Sequence, residues 1–182
     1  ETEFERIFID GTAELLPNYS IEKLLHENME LVGPPEYDSD DIALAEQLRA
    51  TYPPENDPPG IGAKCDEKLA QQVRELSGNM TKPLNDFIMP LYSGNVFVAG
   101  STDVGDVSWL TPTSQIDMVT WPAGIPNHSW QVVACGKSGF AQKGMLAAAK
   151  VLAATALDLF EKPDKLAQAR EEFELSLIHI SE

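Results

Sequence analysis

Cationic side chains are scarce in this sequence. Thirteen Lys and Arg stand against 29 Asp and Glu, leaving a formal charge of −16. A surface of that sign repels phosphate backbones and anionic headgroups, which sets nucleic-acid and membrane partners aside. Long apolar runs are lacking as well. The longest lies within 144–160 and is broken by Lys150, Thr155 and Asp158, so no transmembrane span is expected. Cysteine occurs only at Cys65 and Cys135, in unlike settings. Two free thiols of a cytoplasmic protein is the reading, rather than a disulfide. The chain opens on Glu1 with no leader pattern and no Met, so a missing front end is allowed for. No internal repeat is found.

What is present is globular: 43% of the 182 residues are hydrophobic, enough for one substantial core or two small ones. Glu1 to Ile9 alternates charged and apolar residues, which reads as a strand with a half-buried face. Ser20 is expected to cap a helix whose stripe is Ile21, Leu24, Leu25, Leu31 and Val32, stopped by Gly33-Pro34-Pro35. His26 lies off that stripe and is expected to be solvated. Asp38-Ser39-Asp40-Asp41 opens a second helix, buried at Ile42, Ala45, Leu48 and Tyr52; helix capping is a commoner use for such acids than metal binding. Pro53 to Gly62 reads as a surface loop and 66–76 as a short polar helix ending at Gly78. Two further strands are expected at Val96–Ala99 and Ser114–Trp121, so the fold class is α/β. A long helix follows from Ser138, with Phe140, Gly144, Ala147, Ala148, Val151, Leu152, Thr155, Ala156 and Leu159 at helical spacing. A last helix starts at Pro163, and its Glu171-Glu172 pair reads as a solvated face.

The candidate chemistry sits in loops beside the expected strand ends, where a rigid sheet would hold ligand-binding groups. One loop is Ser101, Thr102, Asp103 and Asp106; the other carries His128 after the turn 122–127. The bland reading of the first is an N-cap or Asx-turn over Val104-Gly105, and of the second a histidine that merely packs. The first loop's oxygens also admit Ca²⁺ or Mg²⁺, although a calcium loop normally offers more carboxylates at alternating positions.

Three spaced motifs carry a family resemblance: GSTDVGDVSW at 100–109, WPAGIPNHSWQ at 121–131 and KGMLAAAKVLA at 143–153, with Leu16-Pro17-Asn18 and 162–174 in support. Together they resemble the amidohydrolases of metallopeptidase family M-twenty, in the group of aminobenzoyl-glutamate hydrolases and related dipeptidases. The resemblance implies the C-terminal part of a zinc-peptidase-like catalytic domain, a mixed sheet flanked by helices. It implies a small amide or peptide substrate, a pair of divalent metals (zinc) in the intact enzyme, and a homodimer formed through an inserted lid. On that template 1–17 is the last strand of the lid and 18–174 the C-terminal half of the catalytic domain. His128 matches a metal-ligand histidine, and Ser101, Thr102, Asp103 and Asp106 match a loop that shapes the pocket or supports the ligands.

The family's other ligands, and the Glu-Glu pair carrying its general base, are expected upstream of Glu1. Catalytic zinc needs about three protein ligands and a water, so this chain alone is expected to be inactive and to hold no metal tightly. Residues 175–182 (LSLIHISE) resemble a translated cloning adaptor and are set aside as non-native, His179 with them. The alternative function is a non-catalytic acidic interaction module.

Overall fold

A computed structural model of the chain describes residues 2–53, 66–92, 100 and 102–180. Seven helices occur among the described residues: α1 (Tyr19–Val32), α2 (Ser39–Arg49), α3 (Glu67–Leu76), α4 (Val104–Ser108), α5 (Trp130–Cys135), α6 (Gly139–Glu161) and α7 (Pro163–Ile180).

Their ends follow local chemistry. The Asn18 side chain accepts from Ile21 N and caps α1, just ahead of the expected Ser20. Asp38 and Asp41 cap α2 reciprocally, as the run of acids there suggested. Asp66 caps α3, Ser129 caps α5 and Ser138 caps α6. Pro163 opens α7, where a missing N–H is no loss; the helix continues through the expected tail to Ile180.

Helices α1, α6 and α7 pack on one another. Leu24 and Leu25 of α1, Val151 of α6, and Ala169 and Phe173 of α7 are all buried. Buried polar groups here are paired, as they must be. Asn28 Nδ2 donates to Thr155 Oγ1 at 3.2 Å and to Asp158 Oδ2 at 3.0 Å, and Asn18 Nδ2 donates to Ala169 O at 2.9 Å. A second core joins Ala45 and Leu48 of α2 to Leu84, Cys135, Phe140 and Ala141, with Tyr37, Ile42 and Val119 packed around it. Lys143 on α6 clamps the N-terminus of α2 by pairing with Asp38 at 2.7 Å and with buried Asp41.

The α/β expectation is overturned: the described residues contain helices and irregular segments, with no strand and no sheet. A strand exists only where a neighbouring backbone completes its ladder, and side-chain alternation does not supply one. Residues 2–10 are exposed along their whole length, Phe4 at 92% and Phe8 at 79%. Residues 114–121 run against a helix instead: a Cβ at Gly144 would collide with the Val119 carbonyl, so the absence of a side chain there lets α6 lie on this segment. The expected strand at 96–99, most of the loop at 53–62 and Cys65 lie outside the described residues.

Expectations for six single residues change as well. Leu31, Tyr52 and Leu152 are exposed, because the neighbouring helices cover a narrower stripe than periodicity marks out. Ala156 is exposed too. His26 is half-buried, its Nε2 2.8 Å from Met89 O, and so pins the segment after Leu84 to α1. Glu172 is no free solvated acid: it accepts from Tyr19 N at 2.7 Å and Ser20 N at 2.8 Å, capping α1 from across the interface.

Candidate functional site

The turn that presents His128 is built from short local bonds. Ala123 N donates to Pro83 O at 2.9 Å and Ile125 N to Pro122 O at 3.3 Å, with Ile125 buried beneath. Gly124 takes φ 82°, open to glycine at no cost. His128 takes φ 60°, a left-handed conformation that costs a residue with a Cβ about 1 kcal/mol. Immediately after it Ser129 starts α5, and buried Gln131 ties that helix to the end of α2 through Thr51 Oγ1 at 3.2 Å. The Cys135 carbonyl then accepts both Ser138 N and its hydroxyl, joining α5 to α6. Burial pushes the Cys135 thiol up in pKa, which keeps it protonated and unreactive.

His128 therefore stands at the lip of an open groove of ≈ 760 Å³ whose walls are Trp121, Asn127, Ser129, Trp130 and Val132–Val133. Its side chain makes no hydrogen bond among the described residues, and the residue is exposed. An imidazole held out this way, with both ring nitrogens uncommitted, is chemically able to ligate a metal. Trp130 and Val133, 62% and 81% exposed, make the wall apolar. The 121–131 motif contains Trp121 and Trp130, but only the histidine was chosen from it as a site residue; the placement of the two tryptophans on either side of the turn and His128 was the available signal.

The other residues chosen from the sequence do different work. Ser101 lies outside the described residues. Thr102 forms a local turn, accepting from Val104 N at 3.3 Å through Oγ1 and from Gly105 N at 3.1 Å through its carbonyl. Asp103 is exposed and makes no cap bond to α4. The Asp106 carboxylate accepts from Ala13 N at 2.9 Å, Ser108 Oγ accepts from Leu16 N at 2.8 Å, and Trp109 Nε1 donates to Glu14 O at 2.8 Å. These bonds strap residues 13–16 onto α4, and Gly105 lies too close to Ala13 O for any side chain. None of 102–109 lines the His128 groove. Among the described residues no three His, Cys, Asp or Glu side chains are grouped to hold a metal ion.

Beyond Trp121 lies a second, more enclosed cavity of ≈ 280 Å³, between the C-terminal end of α1, residues 85–89 and residues 117–125. Tyr37 borders this region, donating its hydroxyl to Asn85 O at 3.3 Å. Burial, with Asp41 and Asp86 nearby, raises its phenol pKa and keeps it a donor.

Comparison with known proteins finds the chain's likeness among the hydrolases. Over 178 aligned residues it is 34% identical to a component of the p-aminobenzoyl-glutamate hydrolase of Escherichia coli (strain K12). The alignment takes in 94% of this chain and 36% of that protein, so the chain spans little more than a third of its relative's length. The likeness seen in the three motifs thus extends over nearly the whole chain. No family model matches it, and no solved structure does. No helix among the described residues is long and apolar enough to cross a membrane.

Proposed function

We propose that this chain is the C-terminal portion of a metal-dependent amidohydrolase that cleaves the amide bond between an acyl group and an amino acid, of aminobenzoyl-glutamate or dipeptide type. The observation that carries the reading is the exposed, unengaged imidazole of His128, held at φ 60° between Trp121 and Trp130. The relative's name supplies the reaction class.

The donor set here fits one coordination bond. His128 would contribute a neutral nitrogen to a divalent metal, zinc by the family likeness, and the remaining ligands and the general-base carboxylate belong to the rest of the longer protein. With a metal held there by His128 and ligands from elsewhere, the site would gain Lewis-acid polarisation of a scissile carbonyl and activation of a water. The chain's own part is positional: Ser129 and Gln131 fix α5, and α5 with the 122–127 turn fixes where the imidazole points. Trp130 and Val133 give one side of the groove an apolar face. A homodimer through a lid, and cytoplasmic residence, complete the proposal.

The test is hydrolysis of p-aminobenzoyl-glutamate by the longer protein, together with its bound-zinc content, for the parent and for His128→Ala. Loss of most activity and about half of the zinc is expected, with an unchanged far-ultraviolet spectrum. Full activity in the variant would leave His128 a loop histidine, and an inactive parent with no zinc would favour the interaction module.

A further inference from the structure

Helix α6 is apolar on two sides. One side carries Phe140, Ala147, Val151 and Thr155 into the interior. The other carries Met145, Leu146, Leu152, Leu157 and Phe160, each more than half exposed, with Phe160 at 83%. Ala149, Ala153 and Ala156 lie between them and are exposed too. Steps of three and four residues put all of these on one stripe about four turns long. A helix that is apolar all round belongs inside a structure and not at its edge.

The stripe is also short of charge, in a chain whose formal charge is −16. Between Met145 and Phe160 only Lys150 and Asp158 are charged. Asp158 is turned toward α1, accepting from Asn28 Nδ2 at 3.0 Å, and Lys150 falls at the stripe's margin. Together the exposed side chains present about 600 Å² of apolar surface, the upper end of what a folded monomer shows in one patch. A second copy of the chain would have to bury about 800 Å² on each side to associate stably, and two strongly acidic chains repel on approach. A segment of the same polypeptide needs less, because tethering raises its effective concentration. The relative has ample length for one, since the alignment takes in 36% of it.

We propose that the exposed stripe of α6 is the docking surface for the part of the longer polypeptide outside these 182 residues, which lays an uncharged apolar layer along Met145 to Phe160. The alanines at 149, 153 and 156 let that layer come close to the helix backbone, and the leucines beside them interdigitate with it. The inference rests on the reading of this chain as a portion of a longer protein, and not on the reaction assigned to that protein.

The first measurement needs no variant. The 182-residue chain and the longer protein are each treated with dilute hydrogen peroxide, and oxidation of Met145 is followed by peptide mass analysis, since a thioether's rate follows its exposure. Met145 is expected to oxidise at least about tenfold more slowly in the longer protein. Ala153→Cys extends the reading along the stripe: maleimide should label it more slowly in the longer protein by a similar factor, relative to Gln47→Cys on the exposed side of α2. Equal rates in the two proteins at either position overturn the proposal. So does protection of Met145 in the 182-residue chain by itself, with a dimer in sedimentation, which would give the stripe to a second copy. Hydrolysis is not read here. An inactive longer protein that protects Met145 keeps this surface and sinks the amidohydrolase reading, and an active one that leaves Met145 open does the reverse.

Discussion

Replacing Gly144 by alanine sets two physical effects against each other. Within a long helix the change normally helps, because alanine orders at less entropic cost, and the expected gain is about 1 kcal/mol. At this position the added Cβ would fall inside the Val119 carbonyl oxygen, 2.9 Å from its carbon and 3.3 Å from Thr120 Cγ2. The obstacle is backbone, which cannot turn aside as a long side chain does. Forcing an extra methyl into such a contact costs about 1–3 kcal/mol, and a rigid carbonyl belongs at the upper end. The net expectation is a loss of about 1–2 kcal/mol, roughly 2–8 °C in melting temperature for a chain of this size. Ala153→Gly, at an exposed position of the same helix, serves as the control and should cost about 1 kcal/mol through propensity alone. Urea denaturation followed by circular dichroism at 222 nm measures both. If Gly144→Ala equals or exceeds the parent in stability, the close packing of 117–121 on α6 is wrong, and so is the cavity that segment walls.

Three further outcomes are expected. His128→Gly should raise the stability of the chain by about 0.5 kcal/mol in urea, since glycine takes φ 60° freely but orders at greater cost; a variant less stable than His128→Ala would deny the left-handed turn. Asn18→Ala removes both the cap of α1 and the bond to Ala169 O, and thermal melts should show a cost of about 2 kcal/mol; a neutral result would mean α7 is not docked there. Glu22 is raised above its ordinary 4.5 by desolvation and then by the charge of Glu172. The folded state therefore holds that proton to higher pH than the unfolded state, and stability falls as pH rises through the interval just above 4.5. Glu22→Gln should exceed the parent in urea midpoint at pH 7 and lose that advantage by pH 4, and a pH-independent difference would count against the burial of Glu22 beside Glu172.

Much of the helical layout was written locally. Asp38 with Asp41, Asp66, Ser138 and Pro163 act on backbone groups within a few residues of themselves, so the starts of α2, α3, α6 and α7 could be read from short windows. The family likeness was legible for a different reason: long spaced motifs are a property of the chain alone. Pairing was not legible. The alternation at 1–9 and the β-rich run at 114–121 describe side chains suited to a sheet, yet a ladder needs a second backbone, and what lies beside Val119 is α6. The same holds for single residues. Glu172 looked like an exposed acid until α7 folded back over the start of α1, 152 residues earlier, and His26 looked solvated until Met89 O reached it. Asp106 was chosen for a pocket and spends its carboxylate on Ala13 N. The cavity beyond Trp121 could not be anticipated at all, because its walls come from three separated stretches. Helix starts are decided by bonds that span a turn, whereas burial, partnership and cavities are decided by contacts between distant parts of the chain, which only the tertiary fold brings together.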